Sequence, residues 1–89
     1  MEETMSYQET LRQLSYFAPA ESFQHHLPNP DPERIARDIE ENWEYCRIYH
    51  ETEDWPALDR RALKDYAERL AEELKELYSE VFGGLNAER

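Results

Sequence analysis

Four residues of this sequence have side chains that commonly bind zinc: His25, His26, Cys46 and His50. Cys46 and His50 are four residues apart, one turn of a helix, and four ligands would suit a tetrahedral zinc ion. Adjacent histidines rarely bind one ion together, however, and a single cysteine on an apolar helix face is usually a small buried hydrophobic residue. The sequence therefore predicts no metal and no cofactor, and leaves these four residues as the candidates to check.

Catalysis is not indicated either. Cys46 would need an exposed, electropositive setting to act as a nucleophile, whereas the helical pattern turns it inward among acidic residues. Carboxylate pairs occur here because carboxylates are abundant, and a few short helices leave little room for a pocket that excludes water. We expect a protein that is not an enzyme and has no catalytic residues.

The net charge restricts the class of partner. The chain has 21 acidic and 10 basic residues, a formal charge of −11. Nucleic acid and anionic membranes would both be repelled by such a surface, so the expected partner is a basic protein, such as a nucleic-acid-processing enzyme or complex. The excess is concentrated in residues 31–54, which contain nine acidic and three basic residues.

The 89 residues are enough for one domain with a thin core. The single cysteine cannot form an internal disulfide, and the sequence shows neither an export signal nor a membrane-spanning run. We expect a single domain over residues 1–89, in the cytoplasm, with residues 1–5 and 85–89 frayed.

Three helices can be predicted from apolar spacing and capping residues. The first covers about residues 7–18, with a Ser6–Glu9 capping box, and Pro19 ends it. A proline-rich irregular loop follows, which Phe23 and Leu27 should attach to the core.

The second helix should cover about residues 32–51, beginning at Asp31 and Pro32. Its predicted inner face contains Ile35, Ile39, Trp43, Cys46 and Tyr49.

The third helix should cover about residues 59–82, capped by Asp59, although a first turn near Trp55 is an alternative. Gly83 and Gly84 should end it. These patterns together predict an all-α, three-helix bundle in which helices two and three form an antiparallel hairpin and helix one packs across it through Tyr7, Leu11 and Leu14.

The outer face of the second helix is the first candidate binding site. Carboxylates one turn apart, as at Glu40 and Glu44, repel each other by a few tenths of a kcal/mol, so folding alone does not favour them. They could imitate a row of phosphates, with two apolar residues as anchors, although a merely solvated face is the alternative. The predicted partner-binding residues are Glu33, Glu40, Glu41, Glu44, Tyr45, Ile48 and Glu51.

In size and acidic composition the chain resembles the small inhibitors that phages and plasmids direct against restriction or CRISPR nucleases. The similarity extends over the whole chain but includes no motif. It implies a steric mechanism, in which the acidic face occupies a basic groove and displaces nucleic acid.

The apolar stripe of the third helix is the second candidate site. It could pair with its own copy or with a partner through Leu63, Leu70, Leu74 and Leu77, as in a structural, adaptor or antitoxin-like module. Tyr16, Tyr45 and Trp55 would then be additional contact residues. The alternative is that the stripe packs on the first two helices, so a homodimer is one of two expectations.

Overall fold

The computed structural model describes residues 4–50, without the side chain of His50, and residues 56–80. Within them the chain forms α1 (Tyr7–Phe17), a 3-10 helix (Ala20–His26), α2 (Pro32–His50) and α3 (Arg60–Tyr78). The all-α bundle that the sequence predicts is thus confirmed, with an additional short helix in the proline-rich segment. None of the helices in these ranges combines the length and apolar character needed to cross a membrane.

Each α-helix begins where a capping residue predicts it. The Ser6 side chain accepts a hydrogen bond from the Glu9 backbone N–H at 3.2 Å. Asp59 caps α3 in the same way, accepting from the Ala62 N–H at 2.9 Å. Asp31 accepts from the Glu33 N–H at 3.0 Å, directly before the start of α2. These bonds satisfy backbone donors that a helix start leaves without partners.

The segment between α1 and α2 is more regular than expected. The 3-10 helix contains a kink at Phe23, whose side chain is buried in the core, and Leu27 packs against the same cluster. Both residues attach the segment as predicted. A short helix explains how the backbone of a loop with several prolines still forms hydrogen bonds, such as that from the Leu27 N–H to the Gln24 carbonyl oxygen at 3.1 Å.

The closest packing in the bundle involves α3, which contacts α2, α1 and the 3-10 helix. Its buried face meets the buried residues of the other elements, so that one cluster forms the core. The largest fully buried apolar side chains are Leu14, Ile35, Ile39, Leu70 and Leu74. Of the three residues predicted to attach the first helix, Leu14 is fully buried, whereas Tyr7 and Leu11 are partly exposed.

Helices α2 and α3 run antiparallel. Glu40, near the middle of α2, lies beside Arg60 at the start of α3, and Glu33, near the start of α2, shares a hollow with Lys64 one turn further along α3. The Trp43 indole N–H donates to the Pro56 carbonyl oxygen at 2.8 Å. Trp43 is thus already level with Pro56, which comes before the start of α3. The part of α2 after Trp43 therefore extends past the start of α3.

Residues 4 and 5 differ from the frayed start that the sequence predicts. Thr4 forms an isolated parallel bridge with Ala57, and the Met5 N–H donates to the Ala57 carbonyl oxygen at 3.0 Å. Met5 also packs against the core. The predictions for residues 1–3 and for the chain after Glu80 with Gly83 and Gly84 lie outside the described residues. The alternative start of the third helix near Trp55 is wrong, because residues 56–59 are not helical and Asp59 caps α3.

Candidate functional site

The predicted partner-binding residues that can be placed lie on one helix and are largely open to solvent. Glu33, Glu41 and Glu44 are exposed, and Glu40 is partly buried. Tyr45 and Ile48 are 67% and 75% exposed. We call these six residues the acidic surface of α2. Glu51, the seventh predicted member, lies outside the described residues.

Two arginines reduce the repulsion that the sequence predicts between Glu40 and Glu44. Arg60 reaches across from α3 to within 3.5 Å of the Glu40 carboxylate. Arg47 contacts the Glu44 carboxylate at 3.0 Å from one turn along α2. Arg47 could be expected from its position three residues after Glu44, but Arg60 is 20 positions from Glu40 and only the packing of the helices reveals it. Exposed pairs of this kind contribute about 0–1 kcal/mol.

The apolar and acidic members of this surface meet in one shallow hollow. It is lined by Glu40, Glu41, Glu44, Tyr45, Ile48 and Arg60. A partner side chain placed there would touch the Tyr45 ring and the Ile48 side chain while lying among three carboxylates. A basic residue with an apolar stem, lysine or arginine, has the chemistry that suits both surroundings.

The prediction that Tyr49 lies on the inner face of α2 is wrong. It is 71% exposed, and its ring stacks on Tyr45 with centroids 6.0 Å apart and planes 16° apart. Cys46, also predicted to face inward, is only partly buried. Both residues follow Trp43, where α2 has already passed the start of α3, so fewer of the described residues lie close enough to cover them.

Of the two expectations for the apolar stripe of α3, the structure supports packing within the chain and contradicts an exposed interface. Leu63, Leu70 and Leu74 are buried within the chain, and Leu77 is partly buried. They pack against the residues that face them from α1, the 3-10 helix and α2. A second copy of the chain could not reach the three buried leucines without opening the bundle, so they do not form an exposed oligomer interface.

The two adjacent histidines have a partner that the sequence did not reveal. The Asp38 Oδ2 atom lies 3.0 Å from His26 Nε2 and 3.4 Å from His25 Nε2. The three side chains form a cluster, here called the His–Asp cluster, in which the potential ligand atoms all lie within 4.8 Å of one another. Cys46, the other described zinc candidate, is not in this cluster, and the His50 side chain lies outside the described residues.

The cluster lowers the pKa of its carboxyl group. Hydrogen bonding to His26 lowers the pKa of Asp38, and the second bond, to His25, acts in the same direction. Partial burial opposes this lowering, since it disfavours the charged form. Asp38 lies about two turns after the start of α2. The contact could be expected only if the segment with the two histidines folds back along the first turns of α2.

Comparison with protein-family models, curated proteins and solved structures finds no match for this chain. Its function therefore has to be argued from its surface chemistry.

Proposed function

We propose that this chain is a non-catalytic protein-binding module whose acidic surface of α2 occupies a basic, nucleic-acid-binding groove of another protein. It would thereby act as an inhibitor by mimicry of DNA or RNA, with no direct contact to nucleic acid or membrane. The observation that carries the proposal is the exposure of Tyr45 and Ile48 beside the carboxylates of Glu40, Glu41 and Glu44. Large apolar side chains surrounded by charge are typical of contact residues, because they become buried on binding.

The spacing of the carboxylates supports mimicry. Glu40 and Glu44 lie one helical turn apart, which is about 5.4 Å along the axis. Negative charges at such spacing resemble those of a nucleic-acid backbone. Glu68, Glu72 and Glu76 on α3 have the same spacing, but among the described residues the large exposed apolar side chains beside such carboxylates are on α2. Binding would weaken with salt, since each carboxylate would meet an exposed lysine or arginine of the partner.

The local arginines are compatible with this role. Arg60 is 86% exposed in its side chain while it contacts Glu40. A surface pair of this kind is weak enough for a partner cation to replace it. The arginine would then turn toward solvent, and the Glu40 carboxylate would contact the partner.

A second candidate function follows from the stacked Tyr45 and Tyr49 rings. A structural, adaptor or antitoxin-like module could use this aromatic pair, together with Ile48, to hold a partner or a second copy of the chain. Such a contact would be mainly apolar and would resist salt. Salt dependence therefore separates the two candidates.

The test is an affinity pull-down of the tagged chain from a nuclease-treated lysate, washed at low salt and at about 0.5 M salt, where surface charges are largely screened. Mimicry predicts capture of a nucleic-acid-binding protein that is released by salt and also by added duplex DNA or RNA. A partner that stays bound at high salt and is not released by nucleic acid would favour the second candidate.

A matched pair of double variants identifies the surface involved. Glu40→Lys with Glu44→Lys should abolish capture, whereas Glu72→Lys with Glu76→Lys makes the same change in charge on exposed positions of α3 and should retain it. Full retention of binding by the Glu40 and Glu44 variant would refute mimicry through this surface.

A further inference from the structure

The His–Asp cluster has the chemistry and the shape of a metal site. Its potential ligand atoms are two imidazole nitrogens and one carboxylate oxygen, contributed by the 3-10 helix and α2. We propose that His25, His26 and Asp38 bind one divalent transition-metal ion, with zinc as the best fit. This inference does not depend on the proposed function, since none of the three residues belongs to the acidic surface of α2.

The distances in the cluster match those that a zinc ion requires. Zinc binds nitrogen and oxygen at about 2.0–2.2 Å, which places neighbouring ligand atoms of a tetrahedron about 3.3 Å apart. The Asp38 oxygen lies 3.0 and 3.4 Å from the two histidine nitrogens. Two of the three ligand pairs therefore already have about the required separation, and the third pair, the two histidine nitrogens, lies within 4.8 Å.

Packing holds the imidazole rings in place. The buried Phe23 ring lies against both, with centroids 6.1 Å from His25 and 5.8 Å from His26. The His25 and His26 rings lie 4.4 Å from each other. Because Phe23 belongs to the core and the His26 side chain is only 11% exposed, the fold orients the His26 ring, whereas the 65% exposed His25 ring is only partly ordered by this packing.

The three side chains of the cluster differ in their exposure to solvent, as expected for a metal site that is open on one side. The His26 side chain is 11% exposed, whereas those of His25 and Asp38 are 65% and 37% exposed. An ion could enter from the side of His25 and Asp38, with water as the fourth ligand. Its binding would replace the hydrogen bonds between the two imidazole nitrogens and the carboxylate, with each neutral ring keeping its proton on the nitrogen that does not bind the ion.

The donor set also predicts selectivity. Imidazole nitrogen suits zinc, copper and nickel, whereas magnesium and calcium prefer oxygen ligands throughout. The many surface carboxylates of this chain will bind several cations loosely, but only a site with two imidazoles should bind zinc in the presence of excess magnesium. The bound ion would join the 3-10 helix to α2.

The experiment is calorimetric titration of the full chain with zinc chloride in excess magnesium chloride. It is accompanied by titration with cobalt(II), whose visible spectrum reports tetrahedral nitrogen and oxygen ligation. We expect one ion per chain and a higher melting temperature with zinc. Ring resonances of His25 and His26 should shift in NMR spectra recorded during the titration.

Substitutions then test the three ligands. His25→Ala, His26→Ala and Asp38→Asn should each weaken zinc binding at least about tenfold, since even loss of a group that only orients a metal ligand has effects of that size. Glu41→Gln is the matched control for Asp38→Asn, and His50→Gln and Cys46→Ser test the two remaining candidates. All three controls should leave the affinity unchanged.

His26 is largely buried, so His26→Ala could lower helicity. His25 is exposed, so His25→Ala should remove a ligand without disturbing the fold, and it then provides the test. No saturable zinc binding in magnesium would overturn the proposal. Binding that survives His25→Ala and Asp38→Asn but is lost in Cys46→Ser or His50→Gln would overturn it equally.

Discussion

The hydroxyl oxygen of Thr10 accepts a hydrogen bond from the backbone N–H of Asp59 at 3.1 Å, which joins the middle of α1 to the N-cap of α3. Thr10 is fully buried, and it is the one buried polar side chain in the part of the chain that the structure describes. The bond thus satisfies a polar group inside the core and also fixes the residue whose own carboxylate begins α3.

Thr10→Val should lower the free energy of unfolding by about 1–3 kcal/mol, because it keeps the side-chain shape but leaves the Asp59 N–H without its acceptor. Urea denaturation followed by circular dichroism measures the change. Ser15→Ala is the control: the exposed Ser15 hydroxyl donates to the Arg12 carbonyl oxygen within α1, and its loss should have a smaller effect. Equal stability of Thr10→Val and wild type would contradict this account.

Leu74→Ala should lower the free energy of unfolding by about 2–5 kcal/mol, the usual loss when a buried leucine is truncated. Since Leu74 is fully buried within a single chain, the melting temperature should not depend on protein concentration. Thermal denaturation over a wide range of concentration, with light scattering to determine mass, tests this. A concentration-dependent transition that persists in Tyr45→Ser would indicate pairing of chains through α3 rather than through the exposed aromatic pair of α2.

Tyr66 should make stability depend on alkaline pH. Its hydroxyl donates to the Ala18 carbonyl oxygen at 2.6 Å, and its pKa is raised from 10.0 by burial first and then by the negative charge of Glu73. The stabilisation is fully present below pH 10.0, where tyrosine is neutral in both states, and is lost as the pH rises through the higher pKa of the folded state.

Tyr66→Phe should therefore lower the free energy of unfolding by about 1 kcal/mol at neutral pH. The gap between wild type and variant should narrow above pH 10.0. Denaturation curves at neutral and alkaline pH measure it. A constant gap across both ranges would show that the hydrogen bond does not couple to ionisation of this tyrosine.

Replacing Tyr45 and Ile48 by serine should change the free energy of unfolding by less than about 0.5 kcal/mol, because both side chains are exposed. Partner capture should fall at least about tenfold, as expected for contact residues that contribute 1 kcal/mol or more. Tyr16→Ser, at a tyrosine that is 80% exposed on α1, is the control and should leave capture unchanged. Capture equal to wild type by the double variant would exclude the hollow as the contact.

Local patterns explain which parts of the structure could be predicted. Helix starts depend on residues close in sequence, and the caps at Ser6 and Asp59 lie where the sequence puts them. Contacts between distant residues left no local signal. Nothing near Thr10 in the sequence indicates its bond to Asp59, and nothing near Glu40 indicates its contact with Arg60.

The same limit applies to the candidate sites. The exposure of Tyr45 and Ile48 follows from helical phase alone and was predicted. Helical phase also predicts Tyr49 on the inner face of α2. Burial requires a neighbouring element as well, and at Tyr49 the helix α2 has already run past the start of α3. The two histidines were identified by residue type, whereas Asp38 required the path of the chain between α1 and α2.

The dominance of α3 in the packing has a consequence for synthesis on the ribosome. Chains emerge from the N-terminal end, so α1, the 3-10 helix and α2 are made before the helix against which they mainly pack. Their apolar faces have no stable cover until residues up to Leu74 have left the exit tunnel. The acidic residues of α2 are then the charges that keep the unfinished chain apart from its neighbours, before any partner is bound.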